Sequence, residues 1–207
     1  MKKYGKELDR VFILDQSGSM KGSENSTISS YNEYLEKERE NKEFVFTRIT
    51  TVLFNNKTTF VNSRVPIQFV NNLTNKDYIP SGCTALYDSL GETISFMEKN
   101  HSGKVMFVII TDGYENASLE YDKDKIKKLI NKHKNWEFIF IGADIDSYSV
   151  GRNIGISDEN IANYKKDEKG ISMLFDSVQL AQKSYCNGEK ASSKWKQKLE
   201  NYIEESR

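Results

Sequence analysis

The chain is poor in the residues that clip small proteins together: among 207 residues there are two cysteines, two histidines and two prolines. Two cysteines cannot build a disulfide framework, and neither Cys83 nor Cys186 stands at zinc-ligand spacing from a second Cys or His. Both are therefore expected as free thiols that pack as small buried hydrophobes. A thiol nucleophile at Cys83 would need a basic partner, and neither His101 nor His133 has a context that brings one near. His133, inside the charged run Lys127 to Lys134, is expected to be solvated. An excess of one charge is also missing, since 30 Lys and Arg balance 30 Asp and Glu. No global field then draws the protein to nucleic acid or to a membrane surface. No apolar run approaches the roughly 20 residues of a membrane helix. The basic start MKKYGKELDR leads into a strand, without the apolar region and small-residue cleavage site of a signal peptide, so a cytoplasmic protein is expected. Repeats, low-complexity tracts and linkers are absent too. Both prolines, Pro66 and Pro80, fall in residues 62–83, which read as a connecting stretch.

What is present is a core. The 37% hydrophobic and 12% aromatic content suffices for one domain, and the length is short for two. Val11, Phe12, Ile13 and Leu14 form an unbroken apolar run, which fits a strand buried on both faces of a parallel sheet. The run ends in Asp15-Gln16-Ser17-Gly18-Ser19-Met20. Asp15, Ser17 and Ser19 would crown the carboxyl edge of the sheet, where open α/β folds build ligand sites. Gly18 permits a tight turn there. Three converging hard oxygens suggest a divalent cation, magnesium before others; closure as an Asx turn is the plainer alternative.

Asp15-x-Ser17-x-Ser19 after a buried strand resembles the metal-ion-dependent adhesion site of von Willebrand factor type A domains. Two further segments carry the same resemblance in the same order. Ser81-Gly82-Cys83-Thr84-Ala85-Leu86 is similar to the family's threonine loop, and Thr111-Asp112-Gly113, after the apolar run Val105 to Ile110, is similar to its aspartate loop. The likeness runs from about Asp9 to Tyr185 and is nearest to the small stand-alone cytoplasmic members of bacteria and their phages. It implies a three-layer Rossmann-like α/β fold, with a mostly parallel central sheet, one antiparallel edge strand and helices on both faces. Residues 1–188 would form this domain and residues 189–207 a helical tail. The resemblance further implies that Ser17, Ser19 and Thr84 bind Mg2+ or Mn2+ directly, with Asp15 and Asp112 holding ligated waters. An Asp or Glu of a protein partner would complete the shell. Only two of the five positions carry charge, so the ion would keep much of its Lewis acidity.

The element pattern agrees with this fold. An amphipathic helix is expected from Thr27 to about Arg39, with Ser26 or Thr27 as N-cap. A strand from Glu43 to Phe54 and another from Thr58 to Val61 make a hairpin around Asn55-Asn56-Lys57. A helix starts at Thr84 and ends near Asn100, and the second central strand covers Lys104 to Thr111. A helix from Asp122 to Lys134, a strand from Trp136 to Ile141 and a short helix over Asp146 to Asn153 follow. Then come a strand at Ile161 to Tyr164 and a helix from Lys169 to Tyr185. The tail from Glu189 keeps Trp195, Leu199, Tyr202 and Ile203 on one helical face.

A buried strand ending in aspartate also opens the phosphotransferases of the haloacid dehalogenase type. Those need a second carboxylate two residues on as general acid, and Ser17 stands there. A metal-free scaffold is the other alternative to a binding module. Cys83 occupies a position where the family commonly has glycine, Gln16 is expected to face solvent, and Asn116 to hydrogen-bond the loop after Asp112.

Overall fold

In the computed structural model, which describes residues 7–41, 46–189 and 193–206, the chain runs as alternating strands and helices. The strands are β1 (Leu8–Asp15), β2 (Thr47–Phe54), β3 (Thr58–Pro66), β4 (Lys104–Thr111), β5 (Glu137–Gly142) and β6 (Ile161–Asn163). The helices are α1 (Glu24–Glu40), α2 (Leu86–Asn100), α3 (Lys123–Lys132), α4 (Ser147–Asn153), α5 (Glu168–Asn187) and α6 (Gln197–Glu205). The sheet order is β3-β2-β1-β4-β5-β6. Every neighbouring pair is parallel except β2 and β3.

Alternation along the central strands splits the apolar side chains between two cores, as period-two geometry requires. Phe12 and Leu14 of β1 face α1 and α5, in one cluster with Met106, Val108 and Ile110 of β4. Val11 and Ile13 face the opposite layer with Val105, Phe107 and Ile109, where Leu90 and Ile94 of α2 and Ile126 of α3 cover them. Both faces of β1 and β4 are thus dry, which is why those strands read as unbroken apolar runs.

The chain builds outward from β1 to β2 and β3, then crosses back to place β4 on the other side of β1 and continues to β5 and β6. The point of reversal lies between β1 and β4, the switch point at which open sheets leave a crevice beyond the strand ends. Asp15 and Thr111 are the last residues of these two strands.

Several boundaries differ from those the sequence suggests. Helix α1 starts at Glu24 behind Ser23, three residues before Ser26–Thr27 would cap it. Its first turn is wholly polar, so apolar periodicity does not register it, and Glu24 fixes the start by accepting from the Gly22 amide at 2.7 Å. Strand β3 continues past Val61 to Pro66. An edge strand needs only one paired side, and the register slips between Ile49 and Val52 of its partner let the polar Asn62-Ser63-Arg64 segment pass. Helix α2 begins at Leu86, not Thr84, because the Thr84 backbone is bonded elsewhere. The part of the expected β2 before Phe46 lies outside the described residues.

The tail packs. Trp195 lies in a short 3-10 turn, Ser193–Trp195, ahead of α6. Trp195 and Leu199 are buried, whereas Tyr202 and Ile203 are half-buried. Trp195 donates its indole N–H to the Glu159 carbonyl at 2.8 Å. Lys196, 4% exposed, donates to the carbonyls of Asp158 and Ile161 and to the Tyr148 hydroxyl. Its charge is thus met by oxygens, as burial of an ammonium demands. No helix among the described residues is long and apolar enough to cross a membrane.

Candidate metal centre

The turn after β1 is fixed before any side chain is considered. Gln16 N donates to the Phe54 carbonyl at 2.7 Å, Ser81 N to the Gln16 carbonyl at 2.8 Å, and Gly18 N to the Gly82 carbonyl at 3.0 Å. The end of β1 is therefore stitched to the end of β2 and to the loop before α2. Gly82 has φ +75°, a conformation that favours glycine. A β-carbon on Gly18 would stand 3.2 Å from the Gly82 carbonyl oxygen, and one on Gly82 would fall 2.1 Å from Asn56 Oδ1, so each glycine permits a different close approach.

Within that frame the oxygens converge. Asp15, 1% exposed, accepts from Ser17 N at 2.6 Å and from Thr111 Oγ1 at 2.5 Å. Ser17 Oγ and Ser19 Oγ lie 2.9 Å apart, and Ser19 Oγ donates to Asp112 Oδ1. Thr84 is brought in by two bonds to one residue. Its N–H donates to Asn116 Oδ1 at 2.9 Å and its carbonyl accepts from Asn116 N at 3.0 Å. A β-carbon on Gly113 would fall 2.8 Å from Thr84 Oγ1 and 3.6 Å from Ser19 Oγ, so a side chain there would collide with the cluster. All five residues picked out by sequence thus meet at the switch point.

Burial pushes the Asp15 carboxyl up from its usual range; the hydrogen bonds from Thr111 and Ser17 oppose this, and the neighbouring Asp112 adds to it. A carboxylate so enclosed is short of positive charge. Among the described residues no group of three or more His, Cys, Asp or Glu side chains forms a metal cluster, so any ion here would rely on hydroxyls. Ser17, Ser19, Thr84, Asp15 and Asp112 offer hard oxygens only, a set that fits a magnesium-like ion. As a nucleophile Asp15 is poorly placed, since both its oxygens are engaged and a hydroxyl, not an acid, follows at position 17.

Three participants were not among the expected ligands. Tyr78 donates its hydroxyl to the Asp15 carbonyl at 2.5 Å. Thr111 holds Asp15 from the neighbouring strand. Lys166 donates to Asp112 Oδ2 at 2.9 Å and to the Ser19 carbonyl at 3.2 Å. Burial works against the charge on Lys166, but the carboxylates of Asp112 and Asp144 outweigh it and hold its pKa up. The only sequence sign of Lys166 is the pair Lys165-Lys166 after β6, which resembles any solvated charge pair.

Three expectations fail nearby. Cys83 is exposed, not buried; Cys186 alone is buried. The Cys83 amide donates to Asn56 Oδ1 at 2.8 Å, which ties this part of the loop to the turn between β2 and β3. Gln16 is 9% exposed rather than solvent-facing, because the backbone bonds on both its sides press it against Ile79. Asn116 bonds the threonine loop rather than its own. Elsewhere His133 is not solvated: it stacks on Trp136 with ring centroids 3.8 Å apart and bonds Glu98 at 2.6 Å.

No family model and no curated protein matches the sequence. Solved structures do match. Mussel byssus proximal thread matrix protein 1, in a structure with a zinc-occupied MIDAS motif, is 17% identical with a TM-score of 0.63, over 84% of this chain and 45% of that one. A von Willebrand factor type A protein of Catenulispora acidiphila is 11% identical with a TM-score of 0.58, over 86% and 42%. The von Willebrand factor domain of a type V pili tip protein of Porphyromonas gingivalis is 11% identical with a TM-score of 0.58, over 86% and 96%. This chain therefore spans less than half of the mussel and Catenulispora chains. Sheet order, switch point and structural likeness agree that the chain has the fold of a von Willebrand factor type A domain.

Proposed function

We propose that the protein is a divalent-metal-dependent protein-binding module and not an enzyme. The observation that carries this is the convergence of Asp15, Ser17, Ser19, Thr84 and Asp112 at one strand edge, an all-oxygen set on loops that are tied to one another by backbone bonds. Ser17, Ser19 and Thr84 would hold Mg2+ or Mn2+ directly, and Asp15 and Asp112 through water. When bound, the ion supplies a Lewis-acidic position for an outside carboxylate. The chain's residues do the rest: Thr111 and the Ser17 amide orient Asp15, Asn116 sets the height of Thr84, and Gly113 leaves room above the hydroxyls. An Asp or Glu of a partner protein would take the open position, a charge-assisted contact strongest in a water-poor interface. The exposed free thiol of Cys83 suits a reducing compartment, which supports a cytoplasmic location. We assign residues 1–188 to the binding domain and 189–207 to the tail.

Calorimetry with magnesium and with manganese tests the site. Binding to the parent chain, lost in both Asp15→Ala and Asp112→Ala, is the expected result, together with no phosphatase activity in the loaded protein. Unchanged heats in the two variants would remove the site assignment. Retention of the protein on immobilised acidic peptide, released by chelator and absent in Thr84→Ala, tests the partner chemistry.

A further inference from the structure

The segment between β6 and α5, residues 164–167, carries Lys166, whose ammonium reaches the oxygen cluster, and is held from both sides. At its start Tyr164 is buried. At its end Asp167 caps α5 by accepting from Gly170 N at 2.7 Å. The tail adds a second hold: the Tyr202 hydroxyl donates to Asp167 Oδ2 at 3.0 Å, and the ammoniums of Lys165 and Lys169 sit 5.4 Å and 4.5 Å from the Tyr202 ring centroid. Backbone fixed in this way lets Lys166 reach inward at a reduced entropic cost.

Its ammonium meets two oxygens of the cluster, Asp112 Oδ2 and the Ser19 carbonyl, and lies 3.5 Å from Asp144 Oδ2. A surface ion pair would matter little, but the Asp112 side chain is fully buried and that of Lys166 is only 25% exposed. Asp112 is one of the five residues assigned to the metal. Its second oxygen, and a backbone carbonyl beside it, already serve a cation that belongs to the chain.

We propose that Lys166 is a resident counter-charge of the metal centre, which holds Asp112 in the metal-free protein and sets the affinity for the divalent ion by competing for the same carboxylate. This rests on the metal-binding reading above. A divalent ion that draws on Asp112 meets the like charge of the ammonium, so affinity is lower than the oxygen set alone would give. The metal-free domain, for its part, is spared a buried carboxylate without a cationic partner. Through Tyr202 the tail steadies the loop from which Lys166 reaches.

Magnesium calorimetry and chelator-treated melting on the full chain test this with Lys166→Met, Lys166→Gln and the charge-keeping Lys166→Arg. The neutral variants should bind magnesium about tenfold more tightly, equivalent to ~1.4 kcal/mol, and melt lower than the parent in chelator, with the loss recovered at saturating magnesium. Lys166→Arg should stay near the parent in both readouts. Lys166→Gln, which can still donate a hydrogen bond, keeps the test open should Lys166→Met not fold without metal. A lysine with a structural role alone would lower the melting temperature and leave the dissociation constant unchanged, and that result overturns the proposal. Magnesium binding by neither the parent nor any variant at millimolar concentration overturns the metal-site reading and this inference with it, an outcome distinct from equal binding by all.

Discussion

The two ends of β1 carry contrasting polar clusters. Near its start Arg10, 1% exposed, points into the core beneath α1 and α5. It donates to Glu38 Oε2 at 2.8 Å, to Gln182 Oε1 at 2.7 Å and to the Tyr34 hydroxyl. Glu38 also accepts from Gln179 and Gln182. One cation meets one anion, the amides supply the remaining donors, and the partners beyond Arg10 sit on helices. At the other end two buried carboxylates and three hydroxyls gather on loops, with a single partly exposed lysine to balance them. The first cluster pairs its cation with a carboxylate and fastens α1 and α5 to the sheet. The second sets two buried carboxylates against one ammonium, a negative excess that favours a further cation.

If that contrast holds, substitutions in the first cluster should cost stability and spare metal binding. Glu38→Ala leaves Arg10 charged and without its carboxylate in the core, and a loss of about 3–5 kcal/mol is expected in urea unfolding. Magnesium affinity measured below the transition should stay as in the parent; a changed affinity would merge the two clusters into one.

Trp195→Ala tests the border between them. Removing this buried indole should cost about 3 kcal/mol. Because α6 carries Tyr202, which steadies the 164–167 loop, magnesium binding should tighten in the same direction as in Lys166→Met. A stability loss with no change in affinity would confine the tail to packing.

The converse case is Ser17→Ala. A loop hydroxyl contributes little to the core, so stability in chelator should move by no more than about 0.5 kcal/mol, while magnesium binding weakens about tenfold, ~1.4 kcal/mol.

The smallest effect is expected at Glu137, a partly buried carboxylate that accepts from the Asn160 amide at 2.8 Å. Burial pushes its pKa up, against the Asn160 hydrogen bond and the charge of Lys104. A raised carboxyl favours the protonated native state. Glu137 therefore costs stability at neutral pH and recovers it as pH falls through the raised pKa toward the ordinary value near 4.5. Glu137→Gln keeps an acceptor for Asn160, and should be equal to or more stable than the parent at pH 7, by under about 1 kcal/mol, losing that advantage near pH 4. Melting curves at the two pH values give the sign; a variant less stable at pH 7 would place Glu137 with the charge-paired cluster around Arg10.

The fold was legible where burial is symmetric. Val105 to Ile110 and the run after Trp136 lie in strands covered on both faces, so they read as short unbroken apolar runs of strand length, and β4 falls on the expected residues. Helices α3 and α4 begin one residue past Asp122 and Asp146, where helices were expected to start, and both side chains cap them. Boundaries failed where structure depends on backbone pairing, which leaves no apolar trace: the polar first turn of α1, the edge strand beyond Val61, and Thr84, held by Asn116 from 32 residues away.

Of the candidate centre, the strand and its short glycine turn pointed to Asp15, Ser17 and Ser19, because such a turn constrains where the next few side chains can go, while Thr84 and Asp112 were legible only through the resemblance of their segments to the adhesion-site motif. Tertiary structure alone decided that Thr111 and Tyr78 hold Asp15, that Gln16 is buried and Cys83 exposed, and that Lys166 reaches Asp112. These contacts join positions 54 to 96 residues apart. Spacing along the chain carries no information about such pairs; they are fixed by the order of β1, β4 and β6 in the sheet and by which loops that order brings together.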